Sequence, residues 1–422
     1  MRKMRHLLGM VLAGLLLCAP LTAAAPSGAF TTEKLANGIT FKYKVVKDEP
    51  LVSINAIFPI GFYYQAVNGL PHLLEHLVFR GGSGYTFNDI AAVTTHQGGY
   101  FNGSTDFYQT KYNYIVTKAN FDAALKIFNG SLWKTELTPE NVNFEKTIVT
   151  HELDMNYMYY PQYALFRSVA PEMRYARQTV EDITPEMVKA YYTTFYQPEK
   201  ATYVISGDFD PKAVKAELEK LANGYGRREA EPPVVKAFDL PAGEQVESRN
   251  LYPYQYQIVM AYQWQNLSVK DRMMLLLITY ATGAEFKTDY EQNRYKIYRT
   301  FFRTINDQSY FGVYYLERTQ PFTPAAYAAE REFMEQYRRQ FKKLDFKAWV
   351  KQLFKEVEME KAQSQESAVD AAAYEVGELH PESISDADLA VLKKLTAKDL
   401  AKFIDTYLSQ PPTTWYLVKT TK

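Results

Sequence analysis

The spacing of apolar positions changes several times along this chain, and each change marks an element. Residues 33–46, EKLANGITFKYKVV, alternate apolar and polar letters on either side of Asn37-Gly38, the pair a tight hairpin favours. Two short strands are predicted there, and LVSINAIFPIG (51–61) reads as a third strand that stops at a glycine. The spacing becomes helical in GLPHLLEHLVFRGG (69–82), which Gly81-Gly82 should end. Residues 98–116, GGYFNGSTDFYQTKYNYIV, are rich in β-branched and aromatic side chains and return to strand. From Asn120 onward NFDAALKIFNGSLW and PENVNFEKTIVTHELDMNYM are helical.

A second pattern is repetition. ITPEMVKAYYTTFYQPEKATYVISG begins at Ile183, and LTAKDLAKFIDTYLSQPPTTWYLVK begins at Leu395. Each reads as a threonine-capped helix, a proline-containing loop and an aromatic strand. Apolar positions correspond at constant offset: Val188 with Leu400, Tyr191 with Phe403, Phe195 with Tyr407, Tyr203 with Trp415. Likewise YQIVMAYQW (256–264) and VKDRMMLLLITYATG (269–283) parallel the strand and helix that lead to Gly81. Between Asn223 and Asn250 lie glycines, a Pro-Pro pair and mixed charge, so a domain boundary is expected near residue 235. The expectation is an α+β chain of two homologous domains, 26–235 and 236–422, each a mainly antiparallel sheet packed by helices.

Composition narrows this picture. A chain of 422 residues exceeds one ordinary core, which agrees with two domains. Lys plus Arg and Asp plus Glu both number 48, a balance that gives no reason to expect nucleic acid or an anionic membrane as partner. Arg2, Lys3 and Arg5 precede an apolar run from Leu7 to Leu17 and a small-residue exit, Thr22 to Ala25. That is the anatomy of a secretory signal peptide over 1–25, cleaved after Ala24 or Ala25. The run is short for a membrane span, and a lipid anchor would need cleavage at bulky Leu17, before the single cysteine, Cys18. An exported, periplasmic protein without disulfides or a membrane span is expected.

The chemistry concentrates in residues 72–76. On a helix, His72 and His76 lie one turn apart on one face, where two imidazoles can meet one metal ion. Glu75 stands beside them, where a carboxylate can act as general base on a water activated by that ion. With six histidines in the chain, an H-x-x-E-H string arises by chance on the order of once in a few hundred shuffled chains. A third protein ligand is needed. FEKTIVTHELDM (144–155) offers Glu145 and Glu152, two turns apart on one helix face, with His151 as a rival. Residues GGYFNGST (98–105) could let an extended peptide pair with a strand edge, or form a simple hairpin at Asn102-Gly103.

His72-Leu73-Leu74-Glu75-His76 is the inverted zinc motif, and the chain resembles the M16 metallopeptidase family of pitrilysin, insulysin and mitochondrial processing peptidase. The resemblance extends from LANGITF through GGYFNGST to ITPEMVKAYYTTFYQPEKATYVISGDFDP. It implies that His72, His76 and Glu152 bind Zn2+, that Glu75 is the catalytic base and that Glu145 supports the site. Glu152 lies one residue nearer His76 than the usual family spacing, but its seven-residue step from Glu145 is kept. The resemblance also implies a substrate edge at Gly99, Asn102 and Gly103, with glycine at 103 where alanine is usual. A second-domain Arg and Tyr that polarise the substrate carbonyl match Arg303 and Tyr310, although Phe302 replaces the family leucine.

The function so implied is a zinc endopeptidase acting on short or unfolded peptides in a chamber made by two such chains, as a homodimer or a pair of related chains. Two other classes stand beside it: a non-catalytic subunit of a heterodimer, and a peptide-binding module that does not hydrolyse.

Overall fold

The structure, a computed structural model, describes residues 29–64, 69–159, 180–229, 239–249, 255–292, 296–305, 307–317 and 341–419, with isolated positions between 323 and 335. The expected signal peptide and the boundary near residue 235 lie outside the described residues.

The first half forms around a six-stranded sheet. Strands β1 (Thr31–Lys34) and β2 (Thr40–Val45) make the hairpin expected at Asn37-Gly38. The Asn37 amide also donates to the carbonyls of Leu218 and Leu221. Strand β3 (Leu51–Phe58) leads to helix α1 (Leu70–Val78). Gly81 and Gly82 do not simply stop that helix: they form β4 (Gly81–Gly82), which pairs with β5 (Tyr85–Thr86) ahead of α2 (Phe87–Val93). Next come β6 (Tyr100–Thr105), β7 (Thr110–Thr117), α3 (Phe121–Trp133), α4 (Pro139–Tyr159), α5 (Pro185–Phe195), β8 (Thr202–Gly207) and α6 (Pro211–Leu218). The sheet order is β1-β2-β8-β3-β7-β6, antiparallel except for the β2–β8 pair.

Alternation in β7 sends Thr110, Tyr112, Tyr114 and Val116 to the helix-covered face, where they meet Val52, Ile54, Ala56 and Phe58 of β3. Several of the buried tyrosines keep their hydroxyls partnered. Tyr112 and Tyr196 share a hydrogen bond of 2.8 Å, and the Trp133 indole donates to Tyr203, which donates to Asn129.

The second half repeats this plan. Strands β9 (Glu244–Arg249), β10 (Tyr256–Gln265), β11 (Lys296–Ile305), β12 (Gln308–Glu317) and β13 (Thr413–Lys419) form a sheet of order β11-β12-β10-β13-β9. Its one parallel pair, β13–β9, mirrors β8–β2, and β10, β12 and β11 take the places of β3, β7 and β6. The mirrored helix α7 (Val269–Gln292) is followed by α8 (Phe346–Gln363), α9 (Ala368–Glu378), α10 (Asp386–Leu392) and α11 (Ala397–Phe403).

The repeat holds for Val188/Leu400 and Tyr191/Phe403, all buried, but slips by one in the last strand. Tyr203 faces its core, whereas Trp415 points to the opposite face and Tyr416 lies in the core. The extra residue follows a helix end that widens into a π turn, Ile404–Leu408.

One second-half helix crosses over. Ala372, Val376 and Leu379, on and just beyond α9, cover Ile57 and Val204 on the far face of the first sheet, and Glu375 pairs with Lys42. Strand β3 is therefore buried on both faces, which accounts for its run of buried residues.

Candidate metal centre

Helix α1 starts from Gly69 in a left-handed conformation and carries Pro71 in its first turn. Leu73, Leu74, Leu77 and Val78 bury into the first core, which fixes the helix about its axis. The same rotation sends His72, Glu75 and His76 together toward α4 and β6. Helix α4 presents Glu145 and Glu152 to the two histidines, two turns apart as their spacing requires.

Three donor atoms converge. His72 Nε2 and His76 Nε2 are 3.2 Å apart, and Glu152 Oε2 lies 3.5 Å from the first and 3.4 Å from the second. Donors about 2.0–2.1 Å from one tetrahedral zinc stand roughly 3.3 Å from one another. The triangle therefore fits a zinc ion with one position left open. The side chain of Glu152 is 41 % exposed, the most open of the donors, while His151 is exposed on another face of α4.

A second layer holds this triangle. His76 Nδ1 donates to Glu145 Oε2 at 2.9 Å, so in the neutral ring Nε2 is the unprotonated nitrogen, facing the other donors. The other oxygen of Glu145 accepts from Arg80 Nε, and the Arg80 guanidinium lies 3.9 Å over the Phe144 ring. Burial works against the charged Glu145, but its bonds to His76 and Arg80 outweigh this and hold its carboxyl below the usual range. Burial likewise disfavours a charged His76, yet Glu145, Glu75 and Glu152 raise its pKa overall. His72 is pulled down to about 3 by burial and by His76, so it stands as a neutral imidazole ready to donate a lone pair.

Glu75 is enclosed between α1 and β6. Burial pushes its carboxyl up to about 7, against the hydrogen bond from Thr105 and the charge of His76. A group titrating there can both take and release a proton near neutrality, and a cation at the histidines would draw it lower. Thr105 Oγ1 donates to Glu75 Oε2 at 2.7 Å.

The three expected edge residues have distinct places. Among the described residues, strand β6 is the outermost strand of its sheet, with its second edge unpaired. Asn102 is exposed and sits opposite Asn113, whose amide bonds to Asn55 at 2.7 Å. Gly99 lies just before the strand, where a Cβ would meet the Ile115 carbonyl at 2.3 Å, so only glycine lets the backbones approach. Gly103 faces the helix instead: a Cβ there would lie 2.6 Å from Glu75 Oε1.

Arg303 and Tyr310 stand directly opposite each other on β11 and β12. Arg303 is therefore a strand residue. It donates to the Phe302 carbonyl and pairs with Glu382 at 3.5 Å. Tyr310 is fully buried. The same region is tied to the first half: Tyr108 donates to the Thr304 carbonyl and lies 3.1 Å from Glu382, and His380 pairs with Asp106 at 3.2 Å. Arg80, Thr105 and Glu382 were not singled out by sequence reasoning. Arg80 follows His76 by four, a spacing that could have flagged it, and Thr105 closes the GGYFNGST string.

A duplicated α+β module in which, among the described residues, the first copy alone gathers His72, His76, Glu75 and Glu152 around one point defines a two-domain unit of the metallopeptidase type. Two family profiles match in succession: "Insulinase (Peptidase family M16)" over residues 53–184 and "Peptidase M16 inactive domain" over 182–366. The chain belongs to the M16 peptidase family. It is 25% identical over 203 residues to the "Uncharacterized zinc protease" of Rickettsia felis, a stretch covering 46% of this chain and 49% of that protein. The match thus spans about half the length of that curated relative. Among solved structures, a protease from Helicobacter pylori superposes with TM-score 0.72 at 17% identity, over 93% of this chain and 100% of that one. The periplasmic protease PqqL from Escherichia coli gives TM-score 0.63 at 17% identity, over 95% of this chain and 48% of that one. These likenesses establish the fold, with two homologous domains of sheets packed by helices.

Proposed function

We propose that this chain is a zinc-dependent endopeptidase. The observation that carries the reading is the triangle of His72, His76 and Glu152 with Glu75 beside it. Zinc held by those three residues would supply Lewis acidity, polarising a water and a substrate carbonyl. The rest belongs to the chain. Glu75 takes the proton from the attacking water and returns it to the leaving amine, a shuttle suited to a buried carboxyl titrating near neutrality. Glu145 holds His76 with its free nitrogen inward. An extended peptide adds to the open edge of β6 along Gly99, Asn102 and Gly103, with Asn102 fixing a substrate carbonyl, Gly99 letting the backbone close on β7 and Gly103 making room for Glu75. Arg303 and Tyr310 complete the carbonyl-polarising set once Arg303 leaves Glu382 and the Tyr310 hydroxyl is uncovered.

The size of PqqL, about twice the stretch this chain covers, supports pairing of two such halves around short or unfolded peptides. The basic, then apolar, first 25 residues support export to a periplasm. Among the described residues, no helix is long and apolar enough to cross a membrane. A second reading, a subunit active only with a related partner, draws support from the buried Tyr310 and the engaged Arg303. The test is to measure bound metal, oligomer mass and cleavage of a quenched peptide library by the purified chain. Activity removed by chelator and restored by zinc supports the first reading. A zinc-loaded homodimer without turnover shifts the assignment to the second.

A further inference from the structure

We infer that Thr105 is the positioning residue of the base Glu75, and that the strand offered to the substrate also sets the geometry of proton transfer. The inference rests on the peptidase reading above, but its structural part stands on contacts independent of it.

Strand β6 alternates its side chains. Asn102 points to the far face, while Gly103 and Thr105 face α1. Those two positions hold the Glu75 carboxylate between them. Gly103 leaves the space that Oε1 occupies, since a Cβ there would also stand 2.7 Å from Glu75 Cγ and 2.8 Å from the Phe79 ring. Thr105 supplies the directional contact, its hydroxyl 2.7 Å from Oε2.

That hydroxyl has one proton and two acceptors within reach. The alternative, Thr110 Oγ1, is 3.4 Å away, and Thr110 donates its own proton to the Ile60 carbonyl. The nearer acceptor is a carboxylate, which draws the proton more strongly. Oε2 is therefore tied to the strand, and Oε1 is the oxygen left to exchange a proton with water. A peptide pairing along the outer edge of β6 bears on the same backbone that carries Thr105. Base and substrate are then registered by one rigid element instead of by two that move independently.

The test uses the full chain with Thr105→Val and Thr105→Ser. Valine keeps the shape and removes the donor, so kcat should fall roughly ten- to hundredfold, the worth of one hydrogen bond to a charged group. KM and zinc affinity should stay within about twofold, and serine should restore most of the rate. A readout without turnover accompanies this: thermal unfolding of the metal-free protein in a cycle of Thr105→Val and Glu75→Met, methionine lacking the carboxyl oxygen that accepts from Thr105. Non-additive shifts are expected, because each change removes one end of the same bond. Equal losses for valine and serine, or additive shifts in the cycle, would overturn the inference. If the wild-type chain cleaves nothing, the peptidase reading fails and the unfolding cycle still decides whether Thr105 holds Glu75.

Discussion

Glu145→Gln separates a residue that holds the metal site from one that takes part in the reaction. The wild-type carboxylate is acceptor-only: Oε2 receives His76 Nδ1 at 2.9 Å and Oε1 receives Arg80 Nε. Glutamine has the same shape but one acceptor and one donor end. Whichever way it is turned, its amide group faces either the imidazole N–H or the guanidinium. If it faces His76, the ring loses the bond that keeps Nε2 free for metal. Losing such an outer partner costs about 10–100-fold in metal affinity, or about 1.4–2.7 kcal/mol. The metal-free fold should lose less, about 1–2 kcal/mol, because Arg80 is 28 % exposed and keeps Phe144 beneath it. The assay is competition against a chromogenic chelator, with kcat measured at saturating zinc. Zinc affinity should fall within that window while kcat changes by less than about threefold. Affinity unchanged within twofold, or kcat collapsing at full metal occupancy, would refute the reasoning.

Zinc affinity should also depend on pH through one imidazole. His76 holds its proton more tightly than an ordinary histidine, whereas His72 titrates at about 3. Affinity should therefore decline as pH falls below the raised His76 value. In Glu75→Gln, which lacks the carboxyl that titrates at about 7 and would release a second proton as the cation binds, the slope should be one proton, about tenfold per unit. A two-proton slope in that variant between pH 7 and 5 would contradict the asymmetry. Glu152→Ala removes one corner of the donor triangle, and bound zinc measured after dialysis should drop below half occupancy, while retention of a full equivalent would exclude Glu152 as a ligand. Asp106 is partly buried, which works against its charge, but His380 and the Tyr108 N–H hold its carboxyl below the usual range. A depressed carboxyl stabilises the fold above its unfolded value near about 4 and loses that contribution as pH falls through the folded one. Urea unfolding of Asp106→Asn should thus show a deficit at pH 7 that shrinks as pH falls below about 4, and a constant deficit would show that charge is not the cause.

The helical pair His72–His76 was legible because its geometry is local: four residues are one turn, whatever surrounds them. Glu145 and Glu152 followed from the same period on one longer helix. The hairpin at Asn37-Gly38 and the duplicated sheet were equally readable, since turn chemistry and alternation are written in consecutive letters. Thr105 was not, because its partner depends on which face of β6 turns toward α1, and that register is set by pairing with β7. Arg80 was missed for a related reason: its partner Glu145 is 65 residues away, on a different helix. The match of Tyr203 with Trp415 failed by one residue, which in a strand is enough to exchange faces. Tyr310 shows the same limit. Its spacing from Arg303 was visible, and so was its aromatic character, but burial depends on packing far from it in sequence.

The central claim is that Glu75 moves the proton while His72, His76 and Glu152 hold the metal. Its most direct test is turnover of a quenched peptide by Glu75→Gln at confirmed zinc occupancy. The account predicts one equivalent of zinc, peptide binding retained, and a rate at least about a thousandfold below wild type. Turnover within tenfold of wild type by the zinc-loaded variant would contradict it.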